Sequence, residues 1–197
     1  MKKSEHTIEI FLMQGEVYFG DRDTRIRTVL GSCVAITMWH PDLLIGGMCH
    51  CLLPSRHPGG QKVHSRIKNS PIDFPSRRAT NQKEFDGTYV DEALELMFSQ
   101  IQRSGTQVRE YQIKLFGGGN MFPDIHQPGA QPVGLKNIEI VSQLLAFHGL
   151  KVSAEHLGGM GHRNLIFDIS NGHVWMRHQA PAHPPSDNSD NCKTREI

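Results

Sequence analysis

Cys33 and His50 carry the two side-chain types that cysteine acyl-transfer chemistry needs, a thiol and an imidazole. The residues between them predict one β-hairpin, because the run 34–39 is rich in β-branched and aromatic residues and Pro41-Asp42 is typical of a turn. If the turn is centred between Pro41 and Asp42, Cys33 lies directly opposite His50, with the two Cβ atoms roughly 4.5–5.5 Å apart on one face. The hairpin alone then predicts a nucleophile beside its base.

Each of the two residues also has an ordinary structural interpretation. A free cysteine is most often a small buried hydrophobic side chain, and a single histidine is most often structural. The pairing depends on the register of the hairpin, since a slip of one residue would put the two side chains on opposite faces of the sheet. The catalytic pair is therefore a hypothesis about register as well as about residue type.

Five short segments occur along the chain in an order that matches one protein family. They are TVLGSCV (28–34), GMCHCLLP (47–54), LFGGGNMF (115–122), VGLKN (133–137) and GGMGHR (158–163). Together they resemble the CheD family, whose members are chemoreceptor glutamine deamidases. The resemblance extends from about residue 7 to about residue 178.

The resemblance implies a catalytic set of a cysteine, a histidine and a threonine, which correspond here to Cys33, His50 and Thr28. Some members place the threonine one position further from the cysteine, where this chain has Arg27. The resemblance also implies a layered α/β sandwich and, as substrate, glutamine side chains in the cytoplasmic helical bundle of chemoreceptors. The CheC phosphatase is a further partner that it implies.

The chemistry of this set follows from the side chains. Cys33 must be a thiolate to attack, and a nearby imidazolium lowers the pKa of a thiol. Thr28 could accept a hydrogen bond from the second ring nitrogen of His50 and so orient the ring. The backbone N–H of Cys33, which follows Gly31 and Ser32, could stabilise an oxyanion. A protease or a transglutaminase could use the same groups, so the residues alone predict cysteine acyl transfer and the resemblance supplies the substrate.

A run of three glycines, Gly117 to Gly119, follows a predicted buried strand. The run lacks the Lys-Ser/Thr pair of a P-loop and the spacing of a dinucleotide fingerprint, which argues against nucleotide binding. We instead expect a tight turn where the backbone approaches the strands of the catalytic pair closely, with Asn120 able to donate hydrogen bonds there.

The segment Cys49-His50-Cys51 also fits a metal site by atom type. However, zinc sites on tight turns usually separate their ligands by two residues, and alternate residues of a strand point to opposite faces. We therefore expect Cys49 and Cys51 to pack in the core, and we expect no metal and no cofactor. Two other functions stay open: a non-catalytic chemotaxis adaptor that binds a receptor or CheC, and a Cys/His metal-binding module.

Composition restricts the class of protein further. The 197-residue chain has a formal net charge of +1, which argues against a nucleic-acid partner bound through overall charge. Residues 1–6 lack the apolar segment of a signal peptide, and no apolar run reaches the roughly 20 residues that span a bilayer. These features predict a cytoplasmic protein without membrane insertion, whose cysteines are thiols.

Predicted strands outnumber predicted helices, and most connections between strands have the character of hairpins. We therefore predict an α+β fold, a layered sandwich of mainly antiparallel sheets with two helices packed on them. Besides the hairpin, strands are expected at 7–12, 26–30, 111–116, 151–156, 163–169 and 173–177, and helices between a capping box at 88–91 and Gly105 and at 135–148.

The chain is expected to form one deamidase-like domain over residues 1–178, followed by a disordered tail at 179–197 that has few apolar residues. Residues 55–86 carry more basic than acidic side chains and show no sustained periodicity, which predicts a long mobile loop. Because the loop begins just after His50, we expect it to dock the substrate, with Arg77 and Arg78 among the contacting residues.

Overall fold

The computed structural model describes residues 7–56, 85–121 and 131–179, together with the backbone of residues 192–196. Ten strands lie in these ranges: β1 (Ile8–Phe11), β2 (Val17–Gly20), β3 (Thr24–Leu30), β4 (Val34–His40), β5 (Ile45–Cys51), β6 (Gln112–Gly117), β7 (Val152–Leu157), β8 (His162–Asp168), β9 (His173–Gln179) and β10 (Cys192–Glu196). The helices are α1 (Val90–Arg103), α2 (Val133–Phe147) and a short 3-10 helix, Val108–Glu110.

The strands form two mixed sheets of five strands each. The first sheet has the order β1-β3-β8-β9-β10, and the second has the order β2-β5-β4-β6-β7. The pairs β1–β3 and β6–β7 are parallel, and the remaining pairs are antiparallel. The α+β class and the mainly antiparallel sheets are therefore confirmed.

The second sheet is the middle layer of the molecule, because both of its faces are covered. Val34, Ile36 and Met38 of β4 pack in a cluster with α1 and α2, whereas Ala35 packs in a second cluster with residues of the first sheet. A strand that is buried on both faces reads as a continuous apolar run, which is the pattern of β4. In β3, by contrast, buried and more exposed residues alternate, so only one face of the first sheet points inward.

Helix α1 buries the apolar stripe that the sequence predicts, which includes Val90, Leu94, Met97 and Ile101. Its N-terminus differs from the predicted capping box at 88–91, because the N-cap residue is Tyr89 and no side chain in the described ranges caps the helix. The carboxylate of Asp91 instead accepts a hydrogen bond of 2.7 Å from the Ser55 hydroxyl. This bond joins the segment that follows strand β5 to the helix.

Two strands were not predicted from the sequence. Strand β2 is only four half-buried residues long, too short for its alternation to stand out. Strand β10 lies where a disordered tail was expected, and it pairs with β9 in an antiparallel register that sets Cys192 opposite Gln179. An edge strand is held by main-chain hydrogen bonds, so it can form from a polar sequence.

Most of the predicted docking loop, including Arg77 and Arg78, lies outside the described residues. Its two ends are described, and a 2.8 Å ion pair between Arg56 and Glu92 joins the first of them to α1. Neither of the two α-helices that the structure describes is long and apolar enough to cross a bilayer.

Candidate active site

The β4–β5 hairpin has a different register from the predicted one. Ala35 is opposite His50 and Val34 is opposite Cys51, so the predicted direct pairing of Cys33 with His50 is wrong by two residues. The reason is the turn, which occupies four residues, 41–44, and ends at Leu44 with a φ of 52°. A shift of two residues keeps every side chain on its face, so Cys33 and His50 still share one side of the sheet as diagonal neighbours.

That side faces the first sheet, and both residues are buried there. Cys33 is 7% exposed and His50 is 2% exposed. Cys33 precedes β4 directly and packs in the cluster between the sheets, together with Ala35, Met48 and Phe116. The site is therefore formed inside the sandwich, where few water molecules can compete for hydrogen bonds.

Thr28 reaches His50 from the other sheet. Its Oγ1 lies 2.8 Å from His50 Nδ1 and also donates to the carbonyl oxygen of Leu12 at 2.8 Å. A carbonyl can only accept, so the single hydroxyl proton of Thr28 is directed at Leu12, and Nδ1 of His50 must donate to Oγ1. This network assigns the His50 tautomer with the proton on Nδ1 and a free lone pair on Nε2.

Nε2 of His50 is buried and has no hydrogen-bond partner among the described residues. An unpaired nitrogen in the interior is costly for stability, which is typical of a group kept for function. Arg27, the alternative to Thr28 in the sequence, points to the outer face instead, where it is half exposed and lies 3.5 Å from Glu9. Thr28 is thus the residue of the two that contacts the imidazole.

Burial shifts the pKa of both residues of the pair. Desolvation raises the pKa of the Cys33 thiol, only partly offset by the backbone N–H of Cys33, and desolvation also lowers the pKa of the His50 imidazole. Both effects favour neutral groups. Burial therefore works against the thiolate–imidazolium pair expected from the sequence, whereas the Leu12 backbone and the Glu16 carboxylate act in the other direction and raise the pKa of His50.

A turn formed by residues 12–16 covers the site, and sequence reasoning gave it no role. Gly15 N donates to the carbonyl oxygen of His50 at 2.8 Å, and His50 N donates to the carbonyl oxygen of Glu16 at 3.0 Å. Gly15 has a φ of 82°, which glycine adopts without strain. The turn also brings Gln14 Nε2 to 4.0 Å from Cys33 Sγ. The only local sequence signal was Gly15 itself.

The glycine run supports the segment that presents Cys33. Gly118 N donates to the carbonyl oxygen of Cys33 at 2.7 Å, and Gly119 N donates to that of Gly31 at 2.8 Å. The predicted close approach of this backbone is confirmed. Asn120 donates its backbone N–H to the carbonyl oxygen of Gly159 at 2.7 Å, which fixes the turn from its far side.

Asn137 is a residue of the site's scaffold that sequence reasoning missed. It is fully buried on α2, and its Nδ2 donates to the carbonyl oxygens of Ser32 at 3.2 Å and Leu52 at 2.9 Å. One amide thereby joins the residue before Cys33 to a residue just after strand β5, which carries His50. The available signal was a polar side chain on the otherwise apolar face of a predicted helix.

Cys49 and Cys51 lie on the opposite side of the second sheet, in the cluster with the helices, as predicted. Their sulfur atoms are 3.6 Å apart, and both are free thiols. Within the described part of the chain, no three His, Cys, Asp or Glu side chains are grouped closely enough to hold a metal ion.

Comparison with known proteins gives a consistent result. The family described as CheD chemotactic sensory transduction matches residues 74–178. A protein of Pseudomonas fluorescens (strain SBW25) named probable chemoreceptor glutamine deamidase CheD is 46% identical over 180 residues, which cover 91% of this chain and 89% of that protein. Similar proteins occur in Albidiferax ferrireducens, at 42% identity over 92% of this chain and 93% of the relative, and in Leptospira interrogans, at 35% identity over 89% and 95%.

Proposed function

The chain belongs to the CheD family, and we propose that it is a protein-glutamine glutaminase that converts glutamine side chains of chemoreceptors to glutamate. The observation that carries the proposal is the hydrogen-bonded arrangement of Thr28 and His50, which leaves His50 Nε2 free on the side of the sheet that holds Cys33. The relatives' names supply the substrate class. The reaction takes place in the cytoplasm, where the signalling bundles of chemoreceptors lie.

The reaction begins when Cys33 Sγ attacks the side-chain carbonyl carbon of the substrate glutamine. His50 Nε2 takes the thiol proton, so no charged pair has to exist in the buried resting site. The backbone N–H of Cys33 donates to the oxyanion of the tetrahedral adduct. The C–N bond then breaks, and His50 returns its proton to the departing ammonia.

A thioester between Cys33 and the substrate remains. Water attacks its carbonyl carbon while His50 Nε2 takes a proton from that water, and collapse of the second adduct expels the Cys33 sulfur. Proton return from His50 regenerates the thiol, and the substrate leaves as glutamate. Thr28 holds the same ring nitrogen through both halves, which keeps Nε2 directed at the reacting atoms.

The proposal is tested by incubating the protein with a chemoreceptor cytoplasmic fragment and following the mass of its glutamine-containing peptides. Each conversion of glutamine to glutamate adds about 1 Da and releases one ammonia, which a coupled assay measures independently. A fragment whose glutamines stay intact, although it binds the protein, would favour the non-catalytic adaptor instead.

Substitution of Thr28 separates orientation of the base from substrate binding. Thr28→Ala removes the acceptor for His50 Nδ1, so we expect kcat to fall by about 10-fold or more and KM to change little. Thr28→Ser keeps the hydroxyl and should retain most of the turnover. Arg27→Ala is the matched control on the same strand, because its side chain points outward. Equal turnover in Thr28→Ala and wild type would show that Thr28 does not orient the base.

The pH dependence of kcat/KM reports the pKa of His50 in the enzyme without bound substrate. Because burial lowers the pKa of its imidazole, His50 stays neutral, and thus able to accept a proton, to a lower pH than an exposed histidine. We expect kcat/KM to fall on acidification with a midpoint below the ordinary value of about 6.5. A midpoint clearly above that value would mean that His50 is stabilised as imidazolium and that the preformed ion pair is the correct description.

Docking of the receptor through Arg77 and Arg78 and binding of the CheC phosphatase belong to the same proposal. They are supported by the basic composition of residues 55–86 and by family membership. The first described end of this segment starts just after β5, which places its origin near His50. An Arg77→Ala/Arg78→Ala double variant that bound the receptor fragment with an unchanged salt dependence would move the docking surface elsewhere.

A further inference from the structure

The side chain of Gln14 lies at the solvent side of the nucleophile. Gln14 is exposed, Cys33 is almost fully buried, and Gln14 Nε2 is 4.0 Å from Cys33 Sγ. A neutral thiol is a weak hydrogen-bond acceptor, so this amide gains little from the sulfur in the resting site. The Gln14 amide is therefore placed where it could donate to a stronger acceptor that forms during the reaction.

The position of Gln14 is set by the same contacts that hold the base. Gly15 N donates to the carbonyl oxygen of His50 at 2.8 Å, and the carbonyl oxygen of Glu16 accepts from His50 N at 3.0 Å. Leu12, two residues earlier, is buried and accepts the Thr28 hydroxyl. The turn at 12–16 is therefore bonded to the base and to the residue that orients it, and it carries Gln14 at a defined place relative to both.

Two N–H donors lie next to the reacting sulfur by position. The backbone N–H of Cys33 belongs to the nucleophile itself, and the side-chain amide of Gln14 lies 4.0 Å from Cys33 Sγ. In the tetrahedral adduct the oxyanion is attached to the carbon that Sγ has attacked. Because the oxygen and the sulfur are bonded to the same carbon, a donor about 2.7–3.1 Å from the oxygen can lie about 4 Å from the sulfur. The 4.0 Å separation between Gln14 Nε2 and Cys33 Sγ is compatible with this geometry.

We infer that Gln14 Nε2 is the second donor of the oxyanion hole and completes it together with the backbone N–H of Cys33. The inference rests on the proposed function and assigns a catalytic role to a side chain of the turn. Binding of substrate covers Gln14, lowers the local dielectric and strengthens its hydrogen bond to the oxyanion when that charge develops. The carboxamide takes part only as a donor and is not itself hydrolysed.

The inference is tested with Gln14→Ala and with Gln14→Glu, which keeps the size of the side chain and removes both N–H donors. We expect kcat on the receptor fragment to fall by about 10- to 100-fold in each variant, with little change in KM or in melting temperature. Met13→Ala is the matched control, because Met13 is the exposed neighbour of Gln14 in the same turn and carries no N–H donor on its side chain. The control should keep wild-type kcat.

A second measurement does not depend on the receptor being the substrate. Acylation of Cys33 by p-nitrophenyl acetate also passes through an oxyanion, so the burst of p-nitrophenolate should be slower in both Gln14 variants and normal in Met13→Ala. If the wild-type protein is inactive on receptor fragments but the burst depends on Gln14, the proposed function fails and the inference stands.

Three results would overturn the inference. Unchanged kcat and burst rate in Gln14→Ala would show that the amide contributes nothing to the oxyanion. Higher activity in Gln14→Ala would show that the side chain obstructs Cys33. Conversion of residue 14 to glutamate in the wild-type protein, detected in the tryptic peptide 4–22, whose only glutamine is Gln14, would show that it reacts as a substrate in cis.

Discussion

Cys33→Ala is expected to abolish conversion of receptor glutamine to glutamate, with a loss of at least about 10³-fold in kcat. The reason is that no thioester can form, and the other two described thiols, Cys49 and Cys51, face the helices on the opposite side of the sheet. His50→Ala should produce a loss of similar size, because the thiol then has no group to accept its proton. Mass spectrometry of a receptor fragment over time measures both rates.

Cys49→Ala and Cys51→Ala are the matched controls for this result. Each removes a buried thiol and leaves a small cavity, so we expect a loss of about 1 kcal/mol in the free energy of unfolding and nearly normal turnover. Circular dichroism would establish that Cys33→Ala is folded. Wild-type rates in folded Cys33→Ala protein would remove Cys33 from the mechanism altogether.

Gly117→Ala is expected to lower the free energy of unfolding by about 3 kcal/mol or more and to inactivate the protein. Gly117 has a φ of 110°, and a Cβ built on it would overlap the carbonyl oxygen of Cys33. The backbone would have to move at the point where Gly118 N bonds that oxygen at 2.7 Å. Urea unfolding and the deamidation assay measure the two effects.

Gly105→Ala is the control that separates the cost of a positive φ from the cost of the overlap between a Cβ at residue 117 and the Cys33 carbonyl oxygen. Gly105 also has a positive φ, 71°, but apart from its chain neighbours no atom of the described residues lies within 4 Å of the position that its Cβ would take. This variant should therefore lose only about 1 kcal/mol and keep its activity. Equal destabilisation of Gly105→Ala and Gly117→Ala would mean that the close approach to Cys33 has no energetic consequence.

The amino-acid sequence determined the elements and the chemical groups. Alternation of buried and exposed residues indicates β3, and a stripe at helical spacing indicates α1. These patterns are local, since they depend only on which side of an element faces the core. The residue types of Cys33 and His50 likewise predict acyl-transfer chemistry, and the side of the strand on which each lies follows from a period of two.

Tertiary structure decided how the groups meet. The four-residue turn that ends at Leu44 shifted the hairpin register by two, and packing of the two sheets brought Thr28 to His50. Gln14 and Asn137 reach the segments around the site from a turn and a helix that have no sequence pattern in common with it. Such contacts depend on the distance and orientation between elements, which the packing of the whole core sets, and no local periodicity of the chain records them.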